Sequence, residues 1–152
     1  SVISCDIDEV AVDRNYNTCK AAGDQHILPL VLDLANPGPS IGWANSERDA
    51  LVKRLNVDVI MALALVHHIA ISNNVPFESI ARLFSGLGRM LVIEFIPKSD
   101  SQVKRLLSTR KDIFPHYHQD EFEKVFREYF EILEVIPVHK TTRTLYLMES
   151  HQ

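Results

Sequence analysis

Cysteine is scarce: the chain has two in 152 residues, Cys5 in an apolar strand-like run and Cys19 in a polar helix-like one. Two such residues supply neither a disulfide framework nor a C-x-x-C metal or redox spacing, so a reduced, cytosolic protein is expected. Long hydrophobic runs are missing as well. The longest, Val57 to Ala70, is interrupted by Asp58, His67 and His68. It is too short and too polar to span a bilayer, so no membrane partner is expected. Nor is there an excess of basic charge. Sixteen basic against twenty acidic residues leave a net charge of -4, which excludes a global footprint for counterion-driven binding of nucleic acid or anionic lipid. Ser1 opens directly into Val2-Ile3-Ser4-Cys5, with no initiator Met, no basic leader and no cleavage-site pattern. The chain is therefore expected to start inside a domain.

What is present is an ordinary globular composition, 46% hydrophobic and 24% charged, at a length that buries roughly 68–70% of its unfolded surface in one core. A single domain over residues 1–152 is the expectation. No internal repeat or low-complexity tract interrupts it.

Val2 to Cys5 reads as a strand, and Asp8 as the N-cap of a helix carrying Val10, Ala11, Arg14 and Cys19, stopped at Gly23-Asp24. Ile27 to Leu32 is continuous and apolar, as a strand buried on both faces would be. After the breakers Asn36 to Ser40, Ser46 and Asp49 form a weak capping box for a short helix with Ala50, Leu51 and Leu55. Val57 to Leu65 reads as a third buried strand. Pro76 occupies the first position of a helix in which Ile80, Leu83, Phe84 and Leu87 repeat at helical spacing, closed by Gly86 and Gly88. Met90 to Ile96 is a fourth strand, Ser101 to Leu107 a short helix, Asp112 to His118 a loop and Asp120 to Phe130 a longer helix. Ile132 to Val138 and Thr144 to Met148 close the chain as an antiparallel hairpin.

Strands alternating with helices pair in parallel, because each crossover helix returns the chain to the same end of the sheet. An open α/β sheet follows, and its ligands belong beyond the carboxyl ends of the strands. That edge carries Asp6-Ile7-Asp8, Asp33-Leu34, Ala62 to His68 and Glu94 to Pro97. A carboxylate there accepts two hydrogen bonds from ribose hydroxyls, which suits Asp6; one at the next strand end accepts from an adenine amino group, which suits Asp33. As plain loop and cap residues, Asp6 and Asp8 need no ligand at all.

Three successive runs carry a family resemblance: Val2-Ile3-Ser4-Cys5-Asp6-Ile7-Asp8, Leu30-Val31-Leu32-Asp33-Leu34, and Asp58 through His68. They resemble the motifs that follow the glycine-rich loop in class I S-adenosylmethionine-dependent methyltransferases, and the end of the chain resembles the end of that fold. The resemblance implies a Rossmann-like open, mostly parallel sheet with helices on both faces and a C-terminal antiparallel hairpin. It implies S-adenosylmethionine as cofactor, with Asp6 on the ribose, Ile7 near adenine, Asp33 and Leu34 on adenine, and Ala62 and Leu63 beside the methionine moiety. The family's first strand and glycine-rich loop have no counterpart here. Gly86-Leu87-Gly88 precedes a strand where that loop follows one, so it reads as a helix end. The chain is accordingly expected to be a piece of a longer protein. Within the family, Ala64-Leu65-Val66-His67-His68 and Val92 to Lys98 resemble a bacterial, nodulation-related branch.

His67, His68 and Glu94 are the candidate proton acceptors, since a neutral imidazole or a carboxylate at this edge can take a proton from an attacking hydroxyl or amine. The competing reading packs one histidine, hydrogen-bonds the other locally, and makes Glu94 a cap or salt-bridge partner. Trp43, His116 and Tyr117 are candidate walls of a substrate pocket, although Trp43 also suits a loop anchor packed on the core. No metal is expected: adjacent His67-His68 and the pair His116, His118 lack metal-ligand spacing. Lys104, Arg105, Arg110 and Lys111 read as a solvated basic face. The expected activity is methyl transfer to a small molecule, by a chain that also suits a homo-oligomer. A non-catalytic module of the same fold, using its sheet for partner binding or oligomerisation, is the alternative, and a histidine-based metal hydrolase the weakest.

Overall fold

A computed structural model describes residues 1–151, which divide into two compact units, the first Ser1–Leu51 and the second from Val52 onward.

The first unit is a strand–helix–strand crossover. Strand β1 (Val2–Asp6) leads into helix α1 (Glu9–Ala22) and then β2 (Ile27–Val31). Asp8 caps α1 as its sequence position predicts: its carboxylate accepts the Val10 amide at 2.9 Å. Gly23 ends the helix in the left-handed region at φ 67°, a conformation that costs glycine nothing. The crossover makes β1 and β2 parallel, with Val2 opposite Ile27 and Asp6 opposite Val31. The expectation that this second strand is buried on both faces fails, since Leu28 and Val31 are each more than half exposed. In a two-stranded sheet with one helix beside it, five residues cannot cover both faces.

Beyond β2, Trp43–Asn45 form a single 3₁₀ turn, and α2 (Leu51–Arg54) is one turn long. The capping box is not formed. Ser46 donates its hydroxyl to the Trp43 carbonyl at 2.7 Å, and the Ala50 amide is taken by Ser40 Oγ at 2.9 Å, because a tight turn ahead of Ser46 uses its side chain first.

The second unit contains β3 (Val57–Ala62), α3 (Phe77–Leu87), β4 (Gly88–Phe95), α4 (Ser101–Ser108), α5 (Gln119–Phe126), β5 (Phe130–Pro137) and β6 (Thr144–Ser150). Its sheet has the order β3-β4-β6-β5. β3 pairs with β4 in parallel, and β6 runs antiparallel to both β4 and β5. Three strands therefore share one direction and only β6 opposes them, which is the mostly parallel sheet with a C-terminal hairpin expected from the sequence. A bulge between Ile132 and Glu134 interrupts the hairpin register.

The apolar stripe of α3 buries Phe77, Ile80, Ala81 and Phe84. These meet an aromatic cluster in which Phe122 lies 5.1 Å from Phe95 and 4.2 Å from Phe126, ring centre to ring centre. Element ends shift from the sequence reading for local reasons. Pro76 is the N-cap of α3, one position before the expected first turn. Gly86 lies inside the helix and Gly88 opens β4 in extended conformation; a Cβ on Gly88 would stand 2.6 Å from the Val57 carbonyl oxygen. Glycine is there because the β3 backbone passes so close. α5 stops at Phe126, since Phe130 is already paired with Ser150. β3 stops at Ala62, and it is not buried throughout, for Val59 and Met61 face outward.

Candidate functional site

In the first unit, the parallel pairing of β1 and β2 brings Asp6, at the end of β1, and Asp33, two residues past the end of β2, to the same edge of the sheet. Asp6 is the last residue of β1, and its carbonyl accepts the Leu32 amide at 2.9 Å, one step beyond the ladder. Each carboxylate turns one oxygen onto its own loop: Asp6 Oδ1 accepts the Asp8 amide at 2.9 Å and Asp33 Oδ1 the Ala35 amide at 2.8 Å. Both residues are exposed, and the second oxygen of each has no hydrogen-bond partner among the described residues. Ile7 is exposed beside Asp6, and Leu34 is half-buried beside Asp33. Trp43 is 84% exposed, which overturns the loop-anchor alternative: its short 3₁₀ turn holds the indole off the core.

In the second unit, β3 ends on Ala62, fully buried, and Leu63, half exposed. Ala64 then takes a left-handed backbone at φ 51°. A non-glycine residue holds that conformation only when its surroundings impose it. Here Glu94, at the end of β4, accepts the Ala64 amide through Oε2 at 2.7 Å. The other oxygen of Glu94 meets Arg143 Nη1 at 3.3 Å, and Arg143 Nε donates to Asp100 Oδ2 at 2.9 Å. Asp100 also caps α4 by accepting the Gln102 amide at 2.8 Å. Burial pulls the Asp100 carboxyl up, but the Arg143 guanidinium and the Gln102 amide outweigh it and hold the group below its ordinary range. Arg143 is in turn raised, chiefly by Asp100. The salt-bridge alternative for Glu94 is thus the observed geometry. Arg143 and Asp100 carried no sequence signal, because they meet Glu94 only through the hairpin and the α4 cap.

The two histidines part company. His67 is 2% exposed, its ring 4.1 Å from that of His68, and its Nδ1 is buried without a hydrogen-bond partner among the described residues. Burial, the neighbouring His68 and Arg143 push its pKa down to about 4, so the imidazole is neutral at physiological pH. His68 is exposed and opens a π-helical turn, His68–Ser72.

His116 and Tyr117 line a cavity of about 400 Å³ that lies wholly within the second unit, between the loop before α3 and the loop before α5. The Tyr117 hydroxyl donates to the Ile96 carbonyl at 2.8 Å, and burial together with the Asp100 charge pushes its pKa well above the ordinary phenol range. Ala70, Val75, Phe77, Ile113 and Phe114 supply apolar lining. His118 stands apart from the cavity lining and caps α5, its Nδ1 accepting the Glu121 amide at 3.2 Å. Arg110 departs from the expected solvated face: Nη2 donates to Asn74 Oδ1 at 2.7 Å and Nη1 to the Ile71 carbonyl, tying one wall of the cavity to the other. Among the described residues, no group of three or more His, Cys, Asp or Glu side chains is placed to hold a metal ion. No helix among them is long and apolar enough to cross a membrane.

Several known structures share this arrangement. WbdD, described in one structure as a bifunctional kinase-methyltransferase, superposes with TM-score 0.62 at 12% identity, over 98% of this chain and 30% of that one. Magnesium protoporphyrin IX methyltransferase (ChlM) from Synechocystis PCC 6803, solved with bound SAH, matches with TM-score 0.58 at 18% identity, over 98% of this chain and 64% of that one. The chain has the methyltransferase fold. In sequence it is 36% identical over 141 residues to nodulation protein NoeA of Rhizobium meliloti (strain 1021), covering 93% of this chain and 29% of that protein. The chain thus spans under a third of its relative's length, and the likeness agrees with the nodulation-related resemblance of Ala64 to His68 and Val92 to Lys98. No protein-family model matches the chain.

Proposed function

We propose that this chain is the methyltransferase-fold part of an S-adenosylmethionine-dependent enzyme acting on a small molecule. The observation that carries the reading is the pair Asp6 and Asp33, set at the same edge of a parallel strand pair with one oxygen of each committed to its loop and the other without a partner among the described residues. That arrangement fits the cofactor, because a carboxylate oriented by a backbone amide offers its remaining oxygen to a ribose hydroxyl or an adenine amino group without further ordering cost. Asp6 is assigned to the ribose, Ile7 to packing near adenine, and Asp33 with Leu34 to the adenine edge. In the second unit, Ala62 and Leu63, at the end of β3 and just before the turn whose Ala64 backbone is held by Glu94, are assigned to the methionine moiety.

When bound, S-adenosylmethionine supplies an electrophilic methyl group on sulfur. The residues of this chain have to position the acceptor for in-line attack, which is chiefly a matter of proximity and orientation. Where the attacking atom keeps its proton, His68 is the candidate base, since its ring is exposed. His67 is a poor proton acceptor at a pKa of about 4, and Glu94 spends both oxygens on Ala64 and Arg143; both are assigned positioning roles. His116 and Tyr117 are assigned to the acceptor cavity, and Trp43 to substrate contact by its exposure.

A non-catalytic binding or oligomerisation module of the same fold is the second reading. The outward row of Val59, Met61 and Leu63, each at least half exposed, favours it. Incubating the intact protein with methyl-labelled S-adenosylmethionine and a cell extract separates the two. Label recovered in the small-molecule fraction supports the enzyme, label confined to macromolecules overturns the small-molecule acceptor, and absence of transfer favours the module.

A further inference from the structure

The acceptor cavity carries information about what it accepts, an inference that rests on the proposed methyltransferase reading. Its walls are held in place by two cations, both spent on protein acceptors. Arg110 binds Asn74 and the Ile71 and Ser72 carbonyls, and its guanidinium lies 5.0 Å from the centre of the Phe114 ring. Lys98 holds both carboxylate oxygens of Asp112, at 2.8 and 2.7 Å, and the Phe114 carbonyl at 2.7 Å. These bonds fix the aromatic loop through Asp112 and the Phe114 backbone, which lowers the ordering cost of binding a ligand there.

Among the described residues no lysine or arginine belongs to the lining; beside the His116 imidazole and the Tyr117 phenol, its titratable side chains are the carboxylates of Glu78 and Glu121. Each of these acids belongs to the first turn of a helix, α3 and α5, where an acid also complements the helix dipole. Each carboxylate has one cation of its own helix beside it, and the Lys124 ammonium donates to Glu121. Arg82 stands 4.0 Å from Glu78 and Lys124 stands 3.4 Å from Glu121, both cations well exposed and so weakly coupled. Most of the remaining lining is apolar or aromatic, with Phe77, Phe114 and Tyr117 contributing rings.

We propose that the cavity takes a small molecule with an apolar or aromatic body and a protonated amine, the body against Ile113, Phe114 and Tyr117 and the ammonium facing Glu78 and Glu121. An anionic ligand would find no lysine or arginine among the described lining residues to meet it, and would face both carboxylates.

Calorimetric titration of the intact protein with phenethylamine, phenethyl alcohol and 3-phenylpropionate tests this. The amine is expected to bind about tenfold more tightly than the acid and several-fold more tightly than the alcohol. Glu121→Gln should abolish the preference, with Glu78→Gln as the second variant, whereas Ile113→Ala should weaken the amine and the alcohol alike. Equal binding of amine and alcohol, or tighter binding of the acid, overturns the proposal. S-adenosylhomocysteine titrated into the same sample keeps the two claims apart. Its binding without an amine preference overturns the ligand class and leaves the methyltransferase reading standing; an amine preference without its binding does the reverse.

Discussion

Glu94 Oε2 accepts the backbone amide of Ala64 at 2.7 Å, across thirty residues of sequence. One carboxylate thus fixes the left-handed turn that ends β3, and Arg143 holds that carboxylate from its other oxygen. Glu94→Ala strips both contacts from a nearly buried site and is expected to destabilise the protein by about 2–4 kcal/mol. Glu94→Gln keeps an acceptor for the Ala64 amide and should cost about 1 kcal/mol. Urea denaturation of the two variants checks the order, which reverses if the Ala64 contact contributes little.

His67 makes stability depend on pH. Its folded pKa is about 4 against an ordinary 6.5, so between those values the unfolded chain binds a proton that the folded chain refuses. Stability is therefore full above about pH 6.5 and is lost as pH falls toward 4, by up to about 1.4 kcal/mol per pH unit. Urea midpoints measured at pH 7.5 and 5.5 should separate for the wild type and draw together in His67→Leu. An identical pH slope in the two proteins would show that His67 carries no proton linkage.

Two glycines should respond differently to alanine. At Gly88 the new Cβ would meet the Val57 carbonyl oxygen at 2.6 Å, inside the β3–β4 pairing, and the cost is expected near 2–3 kcal/mol, as for overpacking. At Gly23 there is open space but a φ of +67°, so the cost is the left-handed backbone alone, about 1 kcal/mol. Thermal denaturation of both variants distinguishes close approach from conformational strain.

Tyr117 joins the cavity wall to the sheet through its buried bond to the Ile96 carbonyl. Tyr117→Phe leaves that acceptor unpaired and should cost about 1–2 kcal/mol, while keeping the ring that lines the cavity. Stability should fall with little change in affinity for an aromatic ligand; a large loss of affinity instead would place the hydroxyl in contact with the ligand.

How far the sequence carries follows from the range of each interaction. Asp8 and Gly23 bound α1 where the residue types say, because caps are satisfied within a few positions. The stripe Ile80, Leu83, Phe84, Leu87 likewise locates α3, and the sheet-edge positions of Asp6 and Asp33 follow from the alternation of strands and helices. The Glu94, Arg143 and Asp100 cluster was not legible as a cluster. Its members lie 43 and 49 residues from Arg143 and meet only when the hairpin folds back. Arg110 looked like part of a solvated run because its partners Ile71 and Asn74 are almost forty residues away. The Ser46–Asp49 capping box misled for the opposite reason: an even more local bond, from Ser46 to Trp43, uses the same hydroxyl.

The central claim is a cofactor site organised by Asp6, and calorimetric titration of S-adenosylhomocysteine into the intact protein tests it most directly, because the product binds without needing the acceptor. The account predicts roughly micromolar affinity, weakened by about 1–3 kcal/mol in Asp6→Ala as ribose donors lose their partner. No binding to a demonstrably folded protein, or an affinity indifferent to Asp6→Ala, would contradict it.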